Sequence, residues 1–311
     1  MNAPRTPHPR TTALALAAAT ALALTACTPD EGPRTGVVVT TNILGDLTRA
    51  VVGEETGVTV LMKPDADPHS FGVSAQEAAL IEDAALVVHN GLGLEEGVAR
   101  NVEAAEQAGV PTLAVGEAVD PLPYTSDESE GEPDPHFWTD PERVAAAVDL
   151  IADQVVEQVD GVDAEAVRAN AEAYGEELRE LDAWMSAEFD TIPEGERRLV
   201  TNHHVFGYLA DRYGFEVIGA VIPSGTTLAS PSASDLESLA SAVEAAGVRA
   251  VFADSSQPDR LATVMAEQAG VDIDVVPLYS ESLTGPDGGA PTYLDMMRAN
   301  TDAIVAGLTA P

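Results

Sequence analysis

Short β-branched runs alternate with helical stretches twice along this chain of 311 residues, and one long amphipathic run separates the two series. Val37–Thr41 reads as a strand, and Ile43, Leu44, Leu47 and Val51 follow it at helical spacing. Val58–Met62, Ala85–Val88 and Pro111–Val115 are three more strand candidates. Helices are expected at Ser74–Asp83, with Ser74 as N-cap, at Leu94–Ala108 and at Pro141–Val159. The pattern restarts at Leu199–Thr201 and continues through Glu216–Val221, Ala250–Ala253 and Asp274–Leu278. Strands separated by helices pair in parallel and need helices on their faces. The expected fold class is therefore α/β, with two parallel-sheet lobes.

Between the two series, apolar residues stand at Val167, Ala171, Tyr174, Leu178, Leu181, Met185 and Phe189. Their spacing of three and four describes one helix of about 25 residues, roughly 37 Å long. Pro193 and Gly195 close it. A helix of that length acts as a stiff spine, so little hinge motion is expected. The implied domains are an N-terminal lobe over 37–160, a linking helix over 161–192 and a C-terminal lobe over 193–311.

The first residues read as an address. Arg5 and Arg10 precede an apolar run from Thr11 to Leu24. At about 14 residues that run is short of the roughly 20 that a bilayer span needs, so a signal peptide over 1–26 is expected. Cys27, the one cysteine, follows Leu24-Thr25-Ala26. That placement resembles the bacterial lipobox, in which the cysteine is lipidated and becomes the new N-terminus. Residues 27–36 then read as a tether. No second cysteine exists for a disulfide, so packing alone must hold the exported domain together.

Charge narrows the partners. Lys and Arg total 15 against 52 Asp and Glu, a formal balance of −37, and Lys63 is the single lysine. Nucleic acid requires a basic footprint, and so does a direct grip on anionic lipid; both are excluded as partners. The hydrophobic fraction of 45% nonetheless supports a packed core.

Histidine carries the chemistry. Beyond the leader the chain has His69, His89, His136, His203 and His204. Two of them close the same tripeptide, Asp67-Pro68-His69 and Asp134-Pro135-His136. Proline restrains the backbone ahead of each ring, which suits a ligand positioned before its metal arrives. His69, His136 and His203, together with Glu281, all follow the C-terminal ends of expected strands, where open parallel sheets bind ligands. Three imidazoles and one carboxylate form a good tetrahedral shell for Zn²⁺, with Mn²⁺ less favoured. On a helix the neighbours His203 and His204 would point about 100° apart, so only one would reach the site. His89, ending the third strand, reads as a structural histidine.

These pieces together resemble the metal-binding solute-binding proteins of ABC importers, the ZnuA/TroA-like cluster. The resemblance is carried by Pro64–Phe71, Asn90–Glu95, Asp134–Asp140, His203–Tyr208, Leu278–Ser282 and Pro291–Met297, and it covers nearly all of the chain after the leader. It implies two α/β lobes joined by a long helix, with the metal in the cleft between them. It gives the ligand positions to His69, His136 and His203, preferring His203 because the family ligand stands three residues before an aromatic, here Phe206. Glu281 falls where the family has its acidic ligand, commonly Asp. The implied function is extracytoplasmic capture of Zn²⁺ by a monomeric, lipid-anchored protein at the outer face of the cytoplasmic membrane or in the periplasm. An ABC permease is the implied partner, and a metallochaperone is a second candidate. No reaction is catalysed. Affinity is expected to fall as pH drops through the histidine range near about 6.5. Many zinc members carry a His-rich loop, whereas Pro121–Pro133 here is acidic and without histidine. It reads as a mobile loop that either gathers cations weakly or has no metal role.

Three other functions fit the sequence less well. A zinc hydrolase would keep a coordination position open for water, but Glu281 fills the shell and His-Glu-x-x-His is absent. A dinucleotide site at Gly91–Gly97 has spacing one residue too long and places Glu95 and Glu96 where pyrophosphate should sit. A siderophore, haem or cobalamin binder would need a wide aromatic or basic cleft, and aromatics are only 5% of the chain.

Overall fold

The alternation resolves, in a computed structural model, into two four-stranded sheets of the same design. The structure describes residues 36–256, 260, 262–264 and 274–310. The expected signal peptide, Cys27 and the tether lie outside the described residues, apart from Gly36. The first sheet holds β1 (Val37–Val39), β2 (Val58–Val60), β3 (Leu86–His89) and β4 (Thr112–Ala114) in the order β2-β1-β3-β4. The second holds β5 (Arg198–Thr201), β6 (Glu216–Ala220), β7 (Ala250–Asp254) and β8 (Asp274–Leu278) in the order β6-β5-β7-β8. Every pairing is parallel. In both sheets the chain starts at an inner strand, moves one way and then reverses. That reversal opens a crevice at the carboxyl ends of the strands.

Strand residues alternate between faces, as period two requires. Val37 and Val39 face the central core, whereas Val38 joins Ile81, Val87, Val98 and Val102 in an outer cluster. Leu199 and Phe252 face the central core, and Val200 and Val251 meet Leu239 and Val243 outside. The first strand is shorter than its β-branched run suggests, because Thr41 leaves the sheet to cap α1 (Asn42–Val52) with its side chain. The outer face of the first sheet carries α2 (Ala75–Glu82), which opens on a reciprocal capping box between Ser74 and Glu77, and α3 (Glu96–Gln107). A single turn, α4 (Val115–Ala118), follows β4.

The spine is α6 (Ala164–Phe189), 26 residues capped by Asp163, and it buries all seven apolar positions of the sequence pattern. It packs against α5 (Pro141–Gln158), α1 and α9 (Tyr293–Thr309). The second half contributes α7 (Gly207–Tyr213) and α8 (Ala233–Ala246). One hydrophobic cluster runs without a break from Val39 and Leu47 through Leu178 and Met185 to Phe252 and Met297. The two lobes therefore share a core. No helix among the described residues is long and apolar enough to cross a membrane.

The shared core makes a prediction. Leu181 is fully buried on the spine, so Leu181→Ala should cost about 2–5 kcal/mol. Both lobes should still unfold in one transition, with tryptophan fluorescence and far-ultraviolet circular dichroism coinciding in urea. Two separated transitions would show that the lobes hold independent cores.

Candidate metal centre

His69, His203 and Glu281 stand in the segments that follow strands, His136 comes after the acidic loop beyond α4, and the four meet. His69 lies on the loop after β2, His136 opens the 3-10 turn Phe137–Thr139, His203 stands two residues after β5 and Glu281 three after β8. One donor atom from each of the four lies within 4.8 Å of the others, and all four residues are buried. His136 Nε2 is 3.4 Å from His69 Nε2. Glu281 Oε1 is 2.9 Å from His203 Nε2 and 3.5 Å from His136 Nε2. Glu281 Oε2 is 4.0 Å from His69 Nε2. Four donors at 2.0–2.1 Å from a tetrahedral ion stand about 3.3 Å apart, so these separations bracket what one ion needs.

The donor set also lacks something. Both oxygens of Glu281 and both ring nitrogens of His203 are buried without a hydrogen bond. Leaving such groups unpaired is costly, above all for a carboxylate. A divalent cation between them removes that cost.

Backbone and side chain together aim the rings. In the first tripeptide Asp67 Oδ1 accepts the His69 N–H at 2.9 Å, and in the second Asp134 Oδ1 accepts the His136 N–H at the same distance. These are Asx turns across a proline. Asp134 Oδ1 also lies 2.7 Å from His136 Nδ1, which places the ring proton there and leaves Nε2 as a lone pair toward the cluster. Asp67 Oδ2 accepts from Thr227 Oγ1 of the second lobe at 2.7 Å. Sequence reasoning found the tripeptides but credited the proline; the aspartate does the holding, and its own position two residues ahead of the histidine was the available signal.

Burial dominates the protonation equilibria of the cluster. It lowers His69 to about 4, with His136 and His203 also held below the usual histidine range. It pushes Glu281 well above the ordinary carboxylate range and Asp134 up to about 7. Burial thus favours the neutral form of the rings and the protonated form of Glu281.

His204 is not part of the cluster. The two neighbours do not lie on a helix, as the sequence reading had it, but on the irregular segment between β5 and α7. There the Thr201 hydroxyl donates to the His203 carbonyl at 2.6 Å. His204 turns away, and its Nε2 meets Asp127 Oδ2 at 2.6 Å. His89 also stays outside the cluster, half-buried, with burial lowering it to about 4.

The expectation of a mobile acidic loop is corrected by its contacts. Pro123 and Pro133 form an antiparallel bridge that closes the loop at its base. Tyr124 is buried and donates to the Gly225 carbonyl at 3.3 Å, while the Gly225 N–H donates to Ser129 Oγ at 3.1 Å. Gly225 has to be glycine, since a Cβ there would overlap the Tyr124 ring. The loop thus straps the first lobe to the second beside the cluster. Its charge pattern gave no sign of this, because two of the anchors, Tyr124 and Ser129, are uncharged and Asp127 is a single one of its acids.

The glycine-rich turn also resolves. Glu95 is buried, and its carboxylate accepts from Thr40 Oγ1 at 2.7 Å, from the Asn90 N–H at 2.7 Å and from the Gly91 N–H at 3.2 Å. The backbone donors that would hold a pyrophosphate are taken by the chain's own carboxylate.

Comparison with known proteins decides the family. The family model described as "Zinc-uptake complex component A periplasmic", ZnuA, matches residues 37–307. This chain belongs to the ZnuA family. Members are substrate-binding proteins of metal ABC transporters, which bind a divalent metal as cargo, work with a membrane permease and are not enzymes. Among relatives, the manganese-binding lipoprotein MntA of Halalkalibacterium halodurans is 32% identical over 282 residues, covering 91% of this chain and 91% of that protein. The iron-binding protein YfeA of Yersinia pestis is 28% identical over 278 residues, covering 89% and 88%. The solved structure of the periplasmic zinc-binding protein TroA from Treponema pallidum matches with a TM-score of 0.80 at 27% identity, covering 88% of this chain and 99% of that one. The ZnuA-family chain accordingly shares the two-lobe α/β fold of TroA.

Glu95→Gln should lower stability by about 1–3 kcal/mol, because the amide sets an N–H₂ against backbone donors. Metal stoichiometry should stay unchanged. Thermal melts and metal analysis of the same variant check both, and loss of metal would tie this turn to the cluster.

Proposed function

We propose that this ZnuA-family protein captures Zn²⁺ outside the cytoplasm and delivers it to its ABC permease, with His69, His136, His203 and Glu281 as the ligands. The observation that carries this reading is the carboxylate of Glu281, buried without a hydrogen bond and facing three imidazole nitrogens. Imidazole-rich sites suit zinc, and zinc outcompetes manganese at most nitrogen and oxygen sites. Relatives named as lipoproteins support lipidation of Cys27, which would hold a monomer at the membrane surface within reach of the permease.

Manganese is the second reading, and a specific observation favours it. Oε1 of Glu281 faces His203 and His136 while Oε2 faces His69. A carboxylate set this way offers two donors, making five with the rings, which exceeds a tetrahedral shell. The similarity to MntA points the same way.

Metal analysis of the protein purified without its leader tests the ligands. Wild type and His204→Ala should carry about one equivalent, whereas His69→Ala, His136→Ala and His203→Ala should each lose it. Full occupancy in His203→Ala would overturn the assignment. Dialysis against equal Zn²⁺ and Mn²⁺ separates the two cargoes by the metal retained.

Proton linkage gives a second prediction and revises the pH expectation. Burial lowers all three imidazoles below their ordinary range, so protons compete less with metal near pH 6.5 than at free histidines. Glu281 has the raised pKa. It must give up its proton to bind a cation, so affinity falls with pH below that raised value, by at most about tenfold per unit for one proton. Calorimetry in buffers of different ionisation enthalpy should find proton release on metal binding that grows as the pH is lowered. No release at any pH would count against Glu281 as a ligand.

A further inference from the structure

Glu281 makes no hydrogen bond of its own, yet its carboxylate has a defined direction. Its neighbours hold it. On one side Ser280 donates through Oγ to Asp254 Oδ2 at 2.5 Å and through its N–H at 3.2 Å. The Ser280 carbonyl accepts from Trp138 Nε1 at 2.9 Å. On the other side Asn42 Nδ2 donates to Ser282 Oγ at 2.7 Å, and Asn42 Oδ1 accepts the Leu283 N–H at 3.0 Å. Asn42, Trp138 and Asp254 are all buried. Only Asp254 belongs to the lobe that carries Glu281. Asn42 opens α1 of the first lobe, and Trp138 stands two residues after His136.

We propose that Asn42 and Trp138 are positioning residues that clamp the Ser280–Leu283 segment from the opposite lobe, keep both oxygens of Glu281 on the cation, and thereby set the affinity for Mn²⁺ relative to Zn²⁺. The physical reason lies in coordination number. Zinc is satisfied by three imidazoles and one oxygen, so it tolerates a carboxylate that swings to a single-oxygen contact. Manganese prefers more oxygen donors and a higher coordination number, so the swing removes a ligand that it needs. A carboxylate with no hydrogen bond of its own has nothing else to stop that rotation. The clamp also links two ligands directly, because Trp138 connects the turn that carries His136 to the residue before Glu281.

The proposal rests on the ligand assignment above, and the experiment separates the two. Zn²⁺ and Mn²⁺ affinities are measured for the wild type, Asn42→Ala, Trp138→Phe, Ser282→Ala and His203→Ala by competition with a chromophoric chelator, with thermal melts of each apo protein. Trp138→Phe removes the donor but keeps an aromatic ring beside His136, whose centroid lies 5.2 Å away. His203→Ala should lose both metals; if it binds them as the wild type does, the ligand assignment fails before the clamp is reached. With that control in place, Asn42→Ala and Trp138→Phe should weaken Mn²⁺ about tenfold or more and change Zn²⁺ far less. Ser282→Ala, the mildest change, should shift the ratio the same way and covers the case of a clamp variant that does not fold. Equal losses for both metals, or an unchanged ratio in folded variants, would overturn the proposal and leave these residues a purely structural role.

Discussion

A carboxylate buried among three neutral imidazoles is the constraint on which the rest of the molecule depends. Glu281 makes no hydrogen bond, and burial disfavours its charged form. Its surroundings make sense as a place for a cation. The aspartates of the two tripeptides then have a definite task. Each fixes its histidine through the backbone N–H, and Asp134 also fixes the ring proton of His136. Preorganised donors of this kind bind metal without having to order themselves first.

Preorganisation requires a frame that does not yield. The spine helix and the shared core supply it. Spine residues Leu178, Leu181 and Met185 belong to the same apolar cluster as Leu44 of one lobe and Phe252 of the other. Arg212, on α7 of the second lobe, reinforces the join by pairing with Asp182 of the spine through two bonds of 2.6 and 2.7 Å, and it also reaches Asp140 and Glu142 at the start of α5. Wide opening of the lobes would expose part of this core. Release of cargo is therefore easier to reconcile with movement of the segments bearing ligands and straps than with a hinge. The strap over Tyr124, Asp127 and Ser129, the Asp67–Thr227 bond and the Asn42–Ser282 bond all cross between lobes at the site.

Much of this was legible in the sequence, for physical reasons. Continuous β-branched runs such as Val37–Val39 bury both faces, and the three-and-four spacing of Val167 to Phe189 forces one buried stripe on a long helix. The candidate cluster was legible because metal chemistry restricts residue types and parallel sheets restrict where they stand. What was missed is partly local capping and turn geometry and partly contacts distant in sequence. Thr41 abandons its strand because α1 needs a cap. His203 and His204 are not distinguished by helical phase but by Thr201, which holds the turn, and by Asp127, which takes His204 from 77 positions away. Asn42 meets Ser282 across 240 positions, and no local pattern announces such a pair.

The surface charge and the interior site divide the work of recognition. A balance of −37 draws cations toward the molecule, but it draws Ca²⁺ and Mg²⁺ as readily as Zn²⁺ or Mn²⁺. That attraction is screened within about 8 Å at physiological salt, so it speeds encounter without choosing a metal. Choice must lie where water and salt are excluded, and the cluster is buried. Three imidazoles there disfavour the hard alkaline-earth ions, which want an all-oxygen shell. On the ligand assignment proposed above, discrimination among the transition metals would turn on geometry, chiefly on how many oxygens Glu281 presents. An acidic exterior around a largely imidazole interior thus separates the rate of capture from its selectivity.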